Sequence, residues 1–329
     1  HTMGCFYIES PAMRLLQKKS GLGNFEHLVI HSSIIRPAAN KFIQAYIQRL
    51  HGARWDPIHP LLGDVLDDTF GIMVYQEDVS RAAVSIAGFS HAEADGLRKV
   101  LSKKDRERKL RDYRDRFFTG AASRGVPGEK ICAVWEMIMS FGGYSFCKPH
   151  SASYARVSFQ AAYLKIQFPA EFMAAVISNQ GGFYSTFAYV SEARRMGIEI
   201  LSPDVNQSDI RWQGCGRVMR AGLMAVHGPA MTTMERIVGE RRKRLYSSIP
   251  DFFKRVGPDR DEARALLHAG AFDSIHPDED RIQILWDVIV TAIMKARSAA
   301  GRQQDLFHAV AGIPTPSFPP EPDIKRLSR

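Results

Sequence analysis

Residues 141–160 read Phe-Gly-Gly-Tyr-Ser-Phe-Cys-Lys-Pro-His and then Ser-Ala-Ser-Tyr-Ala-Arg-Val-Ser-Phe-Gln, and this stretch constrains the fold more than any other. The paired glycines 142 and 143 permit a tight turn. Phe141, Tyr144, Phe146, Lys148 and His150 crowd around it, and a strongly helical segment follows with Ser151 placed as its N-cap. Rings and donors beside a helix N-terminus suit a nucleoside triphosphate, with stacking for the base and N–H groups and positive charge for the phosphates. The same residues also fit a loop whose aromatics plug a core and whose Lys148 is solvated. Both readings stay open on these residues alone.

Charge argues for an anionic partner. The 329 residues carry a net +9, with 45% hydrophobic and 24% charged residues, an ordinary globular balance with room for two or three domains. Nucleic acid fits better than membrane, because no apolar run approaches the length of a spanning helix. Cys5, Cys132, Cys147 and Cys215 are scattered without a Cys-x-x-Cys pair, which argues against zinc or a disulfide framework and for a reducing cytoplasm. There is no basic-then-apolar leader, and the opening residues read as the middle of a motif, so a longer parent protein is expected.

Along the chain, residues 1–180 read as mostly helical. Ser90-His-Ala-Glu93 has capping-box spacing ahead of Leu97, Val100 and Leu101. Residues 98–116 hold ten basic against four acidic residues. Alternating signs at helical spacing describe a solvated face, and the basic excess points to nucleic acid. Pro169 suits the first turn of a helix ending near Gly181-Gly182.

From Gly222 the texture changes. Gly222-Leu-Met-Ala-Val-His-Gly-Pro-Ala-Met231, followed by Met234-Glu-Arg-Ile-Val238, outlines a helix-hairpin-helix, in which backbone N–H groups at a glycine turn meet a DNA phosphate. The usual second glycine is Ala230 here, and Pro229 has no N–H to offer. His227, Gly228, Arg241 and Arg242 are the candidate DNA contacts of this region, and a second, weaker hairpin is expected over residues 261–272. Asp278-Glu-Asp280 opens a further helix, which Lys295 and Arg297 close in agreement with the helix dipole. Five prolines between positions 314 and 322 make the tail an extended linker.

Metal-dependent phosphoryl transfer needs carboxylates grouped on a rigid sheet. Asp67-Asp68, Asp259-x-Asp261 and Asp278-Glu-Asp280 each sit at an expected helix start and read as caps. The sequence has no P-loop, no Gly-x-Gly-x-x-Gly and no His/Cys ligand cluster.

Seven collinear blocks give the chain a resemblance. Residues 141–173 resemble the fingers domain of the bacterial C-family replicative DNA polymerase, the alpha subunit of DNA polymerase III. Thr2-Met-Gly-Cys-Phe-Tyr-Ile-Glu-Ser10, Ile34-Ile-Arg-Pro37, Gly71-Ile-Met-Val-Tyr-Gln-Glu77, Ala193-Arg-Arg-Met-Gly-Ile198, Ser202-Pro-Asp-Val-Asn206 and Ala269-Gly-Ala-Phe-Asp273 match in order. The resemblance covers nearly all of residues 1–310.

It implies a mainly α fold. A fingers domain over 1–215 is followed by a tandem helix-hairpin-helix domain over 216–300 and a clamp-binding peptide with a Pro-rich linker over 301–329. It implies nucleotide contacts at Tyr144, Lys148, His150 and Arg36, and DNA contacts at Lys103, Lys104 and Arg106 beside those of the hairpin. Gln303-Gln-Asp-Leu-Phe307 resembles the sliding-clamp peptide, with Leu306 and Phe307 as apolar anchors and Gln303 and Asp305 at the rim. The implied partners are primer-template DNA, dNTP, the clamp (beta subunit) and other holoenzyme subunits, with no membrane. The implied cofactor is Mg2+ in the full-length enzyme, on palm carboxylates that precede residue 1, with no metal or catalytic residue in this chain.

There are departures from the family pattern. Cys147-Lys-Pro149 replaces the replicative branch's Asn-Lys-Ser, and Pro37-Ala-Ala39 its Pro-Gly-Pro. Gln180-Gly-Gly-Phe-Tyr-Ser185 is closer to an accessory, error-prone branch. The expected function is a fragment of a DNA-directed DNA polymerase, inactive alone. The alternative is a non-enzymatic hairpin protein that binds DNA and tethers to the clamp.

Overall fold

Ser90 and Glu93 exchange hydrogen bonds across a helix start, as their spacing predicts. The Ser90 N–H donates to Glu93 Oε2 at 2.8 Å, and the Glu93 N–H donates to Ser90 Oγ at 3.3 Å. Similar local signals set several other helix ends in the computed structural model, which describes residues 1–36, 39–101, 107–140, 146–275 and 290. The fold is mainly α. Ser10 caps α1 (Pro11–Ser20) and Asn24 caps α2 (Phe25–Ile34), followed by α3 (Asn40–Leu50) and the short α4 (Gly63–Leu66). Next come α5 (Gln76–Ala87), α6 (His91–Leu101), α7 (Glu107–Ser123) and α8 (Gly128–Met139). α9 (Lys148–Gln167) is succeeded by α10 (Pro169–Asn179), with Pro169 in its first turn and Gln180 ending it in the left-handed conformation. The remaining helices are α11 (Thr186–Arg195), α12 (Met231–Lys243), α13 (Ile249–Val256) and α14 (Arg260–His268).

The chain forms two compact units, His1–Tyr163 and Leu164–Arg329. In the first, α8 buries Ile131, Val134, Trp135 and Ile138, an i, i+3, i+4, i+7 stripe. These side chains pack with Val79, Ala82, Ala83 and Ile86 of α5, Leu97 of α6 and Phe117 of α7 in one core. In the second, Phe252 and Phe253 of α13 meet Tyr246, Phe272 and Ile237, and Phe252 sits edge-on to both Tyr246 and Phe272 at 5.0 Å.

The second unit also holds a small sheet, which the sequence analysis did not predict. Strands β1 (Glu199–Leu201), β2 (Gln213–Cys215) and β3 (Val218–Arg220) take the order β1-β3-β2, with β1 parallel and β2 antiparallel to β3. Three-residue strands are too short to show a period-2 pattern. Gly214 is required here, because a Cβ on it would fall 2.2 Å from the Ala170 backbone of α10. The boundary expected between residues 215 and 216 therefore falls in the turn of the β2–β3 hairpin, between paired strands. Lys165 and Glu192, buried and 2.9 Å apart, join α9 to α11, and Arg195 takes the second carboxylate oxygen.

Candidate nucleotide and nucleic-acid interface

α9 begins earlier than expected. The Cys147 carbonyl accepts the Ser151 N–H, so Lys148, Pro149 and His150 form the first turn and Ser151 lies inside the helix. The N-cap assignment for Ser151 is thereby corrected. Proline in a first turn loses no needed N–H and has its φ preset, which lets the helix start ahead of the serine. Ser151 is buried, and its hydroxyl bonds to that of Ser33 on α2.

His150 sits in an aromatic cluster. Its ring lies parallel to Phe146 at 5.2 Å and 9°, and 4.1 Å from the Tyr154 ring centre one turn along. Tyr7 meets Tyr154 at 4.9 Å and Phe146 at 6.3 Å, both edge-on, and Phe6 meets Tyr154 at 5.1 Å. Tyr7 holds a positive φ of 65°, and its hydroxyl donates to the Ser32 carbonyl. Lys148 is exposed at the same helix end. Its Nζ lies 3.6 Å from the exposed Asp68 carboxylate and 5.4 Å from the Tyr75 ring centre, and its N–H donates to Glu77. An exposed pair of this kind is worth little, so it exchanges readily for a stronger anion. Lys148 and His150 thus share one turn, Lys148 directed to Asp68 and Tyr75 and His150 to the half-buried rings of Phe146 and Tyr154. Tyr144 lies outside the described residues.

Arg36 has a different place from the one expected. It is buried, and its guanidinium donates to the carbonyls of Met73 (2.9 Å), Val74 (3.2 Å) and Ser33 (3.4 Å) and to Ser140 Oγ (3.2 Å). Burial pushes its pKa down to about 10, against the opposing charge of Asp78. Asp78 in turn accepts the Val74 and Tyr75 N–H groups at 2.9 Å, and burial raises its carboxyl pKa. Arg36 and Asp78 together fasten the 73–75 segment beside the C-terminal end of α2.

On the basic side, Lys103, Lys104 and Arg106 lie outside the described residues. Residues 98–101 of the run end α6 and residues 107–116 begin α7, where Arg108, Lys109, Arg111 and Arg114 are exposed and Arg116 pairs with Glu93. In the hairpin region the first arm is a single 3-10 turn, Leu223–Ala225, leading to a turn in which His227 and Gly228 are exposed. The expected phosphate donors are compromised there. Pro229 has none, and the Ala230 N–H donates to Glu262 Oε1 at 2.9 Å. The other Glu262 oxygen accepts the Asp259 N–H, completing the capping box of α14. Arg241 turns inward to the carbonyls of Val205 and Ser208, while Arg242 stays exposed. The structure adds Arg264 and His268, which line a cavity of about 550 Å³ facing His227 and Gly228. Their spacing with Asp261 and Ala265, one face of a helix, was the signal available in the sequence. For the second hairpin, α14 and the turn at 269–272 are present, and residues 276–289 lie outside the described residues. Because Glu262 closes two backbone donors at once, Glu262→Ala is expected to lower the stability of this unit by about 1–3 kcal/mol in chemical denaturation.

Gln303, Asp305, Leu306 and Phe307 lie outside the described residues. Among the described residues no group of three or more His, Cys, Asp or Glu side chains could hold a metal ion, and no helix is long and apolar enough to cross a membrane. Asp67 and Asp68 lie in a 3-10 turn, and Asp259 caps α14.

The family model for the bacterial DNA polymerase III alpha subunit finger domain matches residues 1–125, and one for the helix-hairpin-helix motif matches residues 197–284. The chain is 37% identical over 284 residues to DNA polymerase III subunit alpha of Neisseria meningitidis serogroup A, covering 84% of this chain and 25% of that protein. It is 34% identical over 322 residues to that of Caulobacter vibrioides (96% and 28%), and 36% identical over 295 residues to that of Thermus aquaticus (86% and 24%). The chain belongs to the bacterial DNA polymerase III alpha subunit family, and it spans about a quarter of the length of the curated relatives it matches.

Proposed function

We propose that this chain is the fingers and hairpin region of a cytoplasmic DNA-directed DNA polymerase, binding the incoming dNTP and primer-template DNA and inactive without the catalytic carboxylates. The observation that carries this reading is the first turn of α9, where Lys148 is exposed beside Asp68 and the His150 ring packs on half-buried Phe146 and Tyr154, with the exposed Phe6 ring against Tyr154. Lys148 neutralises phosphate charge, exchanging Asp68 for the triphosphate. His150, held flat by Phe146, supplies a hydrogen bond of fixed direction. Tyr144 completes the contact. Among the described residues no group of three or more His, Cys, Asp or Glu side chains could hold a metal ion, so the Mg2+ ligands are assigned to the longer protein. Gln303, Asp305, Leu306 and Phe307 are proposed to hold the sliding clamp in a holoenzyme, and the sequence at 180–185 favours the error-prone branch. The fingers match over residues 1–125 favours a polymerase over a purely tethering protein.

In the full-length enzyme, His150→Ala is expected to raise the nucleotide KM about tenfold or more, the loss of one charge-assisted bond, with primer-template affinity unchanged. Steady-state kinetics at varied dNTP, with DNA binding measured separately, checks this. An unchanged KM and kcat would remove the nucleotide assignment.

A further inference from the structure

Two of the most exposed large apolar side chains in the described protein stand four residues apart. Phe183 is 61% exposed and Phe187 81%. The backbone that presents them is anchored. Tyr184 donates its N–H to the hydroxyl of buried Tyr189 at 3.1 Å, and its ring meets Tyr189 edge-on at 6.1 Å. Gly182 packs so closely that a Cβ on it would fall 1.9 Å from the same hydroxyl. With the loop fixed from beneath, the two rings face solvent as a consequence of packing.

Cations follow along the same helix. Phe187, Ser191 and Arg194 are exposed on α11 at i, i+4 and i+7, one stripe about 10 Å long. Arg195 lies beside it, and Arg217 donates to the Met196 carbonyl at the helix end. The nearby acids are Glu192, buried and neutralised by Lys165 and Arg195, and Glu199 on β1. Flat apolar faces grading into arginine match a ligand with accessible base faces and a phosphate backbone. A duplex hides its base faces, and an unpaired strand offers them.

We propose that Phe183, Phe187 and Arg194 form a stacking platform for single-stranded nucleic acid. The proposal extends the DNA-binding reading above but uses none of the residues assigned there. Its test is fluorescence anisotropy of the 329-residue chain with a labelled oligo(dT), an abasic strand of equal length and a hairpin duplex. The Phe183→Ala/Phe187→Ala variant is expected to bind oligo(dT) about tenfold or more weakly and the duplex within about twofold of wild type. Wild type should discriminate against the abasic strand to a similar degree, a comparison that needs no variant to fold. Arg194→Gln should reduce the log–log salt slope for oligo(dT) by about 0.7, one single-strand contact. Equal binding of oligo(dT) and the abasic strand, or equal losses on oligo(dT) and duplex in the double variant, would overturn the platform. Persistent duplex binding with no oligo(dT) binding would also overturn it, yet leave the hairpin reading standing.

Discussion

Replacing Arg36 by methionine is expected to destabilise the first unit by about 3–5 kcal/mol, the usual loss when one member of a buried charged network is removed. The guanidinium makes four hydrogen bonds to groups on three segments of chain. Its loss strands the buried carbonyls of Met73 and Val74 and removes a positive charge from the neighbourhood of buried Asp78. Arg36→Lys is expected to restore little, since a single ammonium cannot replace a planar fork that reaches several acceptors at once. Urea denaturation followed by far-UV circular dichroism measures both variants. Native stability in Arg36→Met combined with lost dNTP affinity would reverse the assignment and return this side chain to the nucleotide.

Arg36 shows where sequence stops being informative. Its family block placed it near the nucleotide, but which way an arginine points depends on the carbonyls that surround it. Arg241 repeats the lesson, since it belongs to a basic run yet is turned inward to Val205 and Ser208. Signals contained within four residues were legible, among them the Ser90–Glu93 capping box, Pro169 at the start of α10 and the Asp259 cap of α14. Ser151 was misplaced because Pro149 can itself occupy a first turn, leaving two starts consistent with one sequence. The sheet stayed hidden because its strands are three residues long, and its register depends on Gly214 meeting the Ala170 backbone, a contact between distant residues. That Lys148 and His150 lie at one helix start was legible because their spacing is local, whereas the separate partners of their side chains, Asp68 for one and Phe146 for the other, are set by folding. Arg264 and His268 were missed because the cavity they share with His227 is made by folding.

Acid should destabilise the same unit chiefly through His31, with His27, whose pKa burial also lowers, acting in the same direction. His31 on α2 is fully buried, and neither of its ring nitrogens has a hydrogen-bond partner among the described residues. It faces His27 at 6.2 Å and Tyr46 at 5.9 Å, and the Tyr46 hydroxyl is already bonded to His27 Nδ1 at 2.7 Å. Burial, reinforced by the His27 charge, lowers the His31 pKa to about 4. The unfolded chain, with an ordinary value near 6.5, takes up the proton first, so acid favours unfolding. The contribution is intact above about pH 6.5 and is lost as pH falls toward 4, reaching about 3 kcal/mol. Asp78, whose carboxyl pKa burial raises, shifts stability the other way in acid, so the histidine must be isolated by difference. His31→Leu supplies that difference. It removes two unpaired polar atoms at similar volume and is expected to be neutral or stabilising at pH 7.5, with its advantage over wild type growing by about 3 kcal/mol on acidification to pH 4. Denaturation midpoints of both proteins across this range decide the matter, and parallel curves would show that His31 is not the group that titrates.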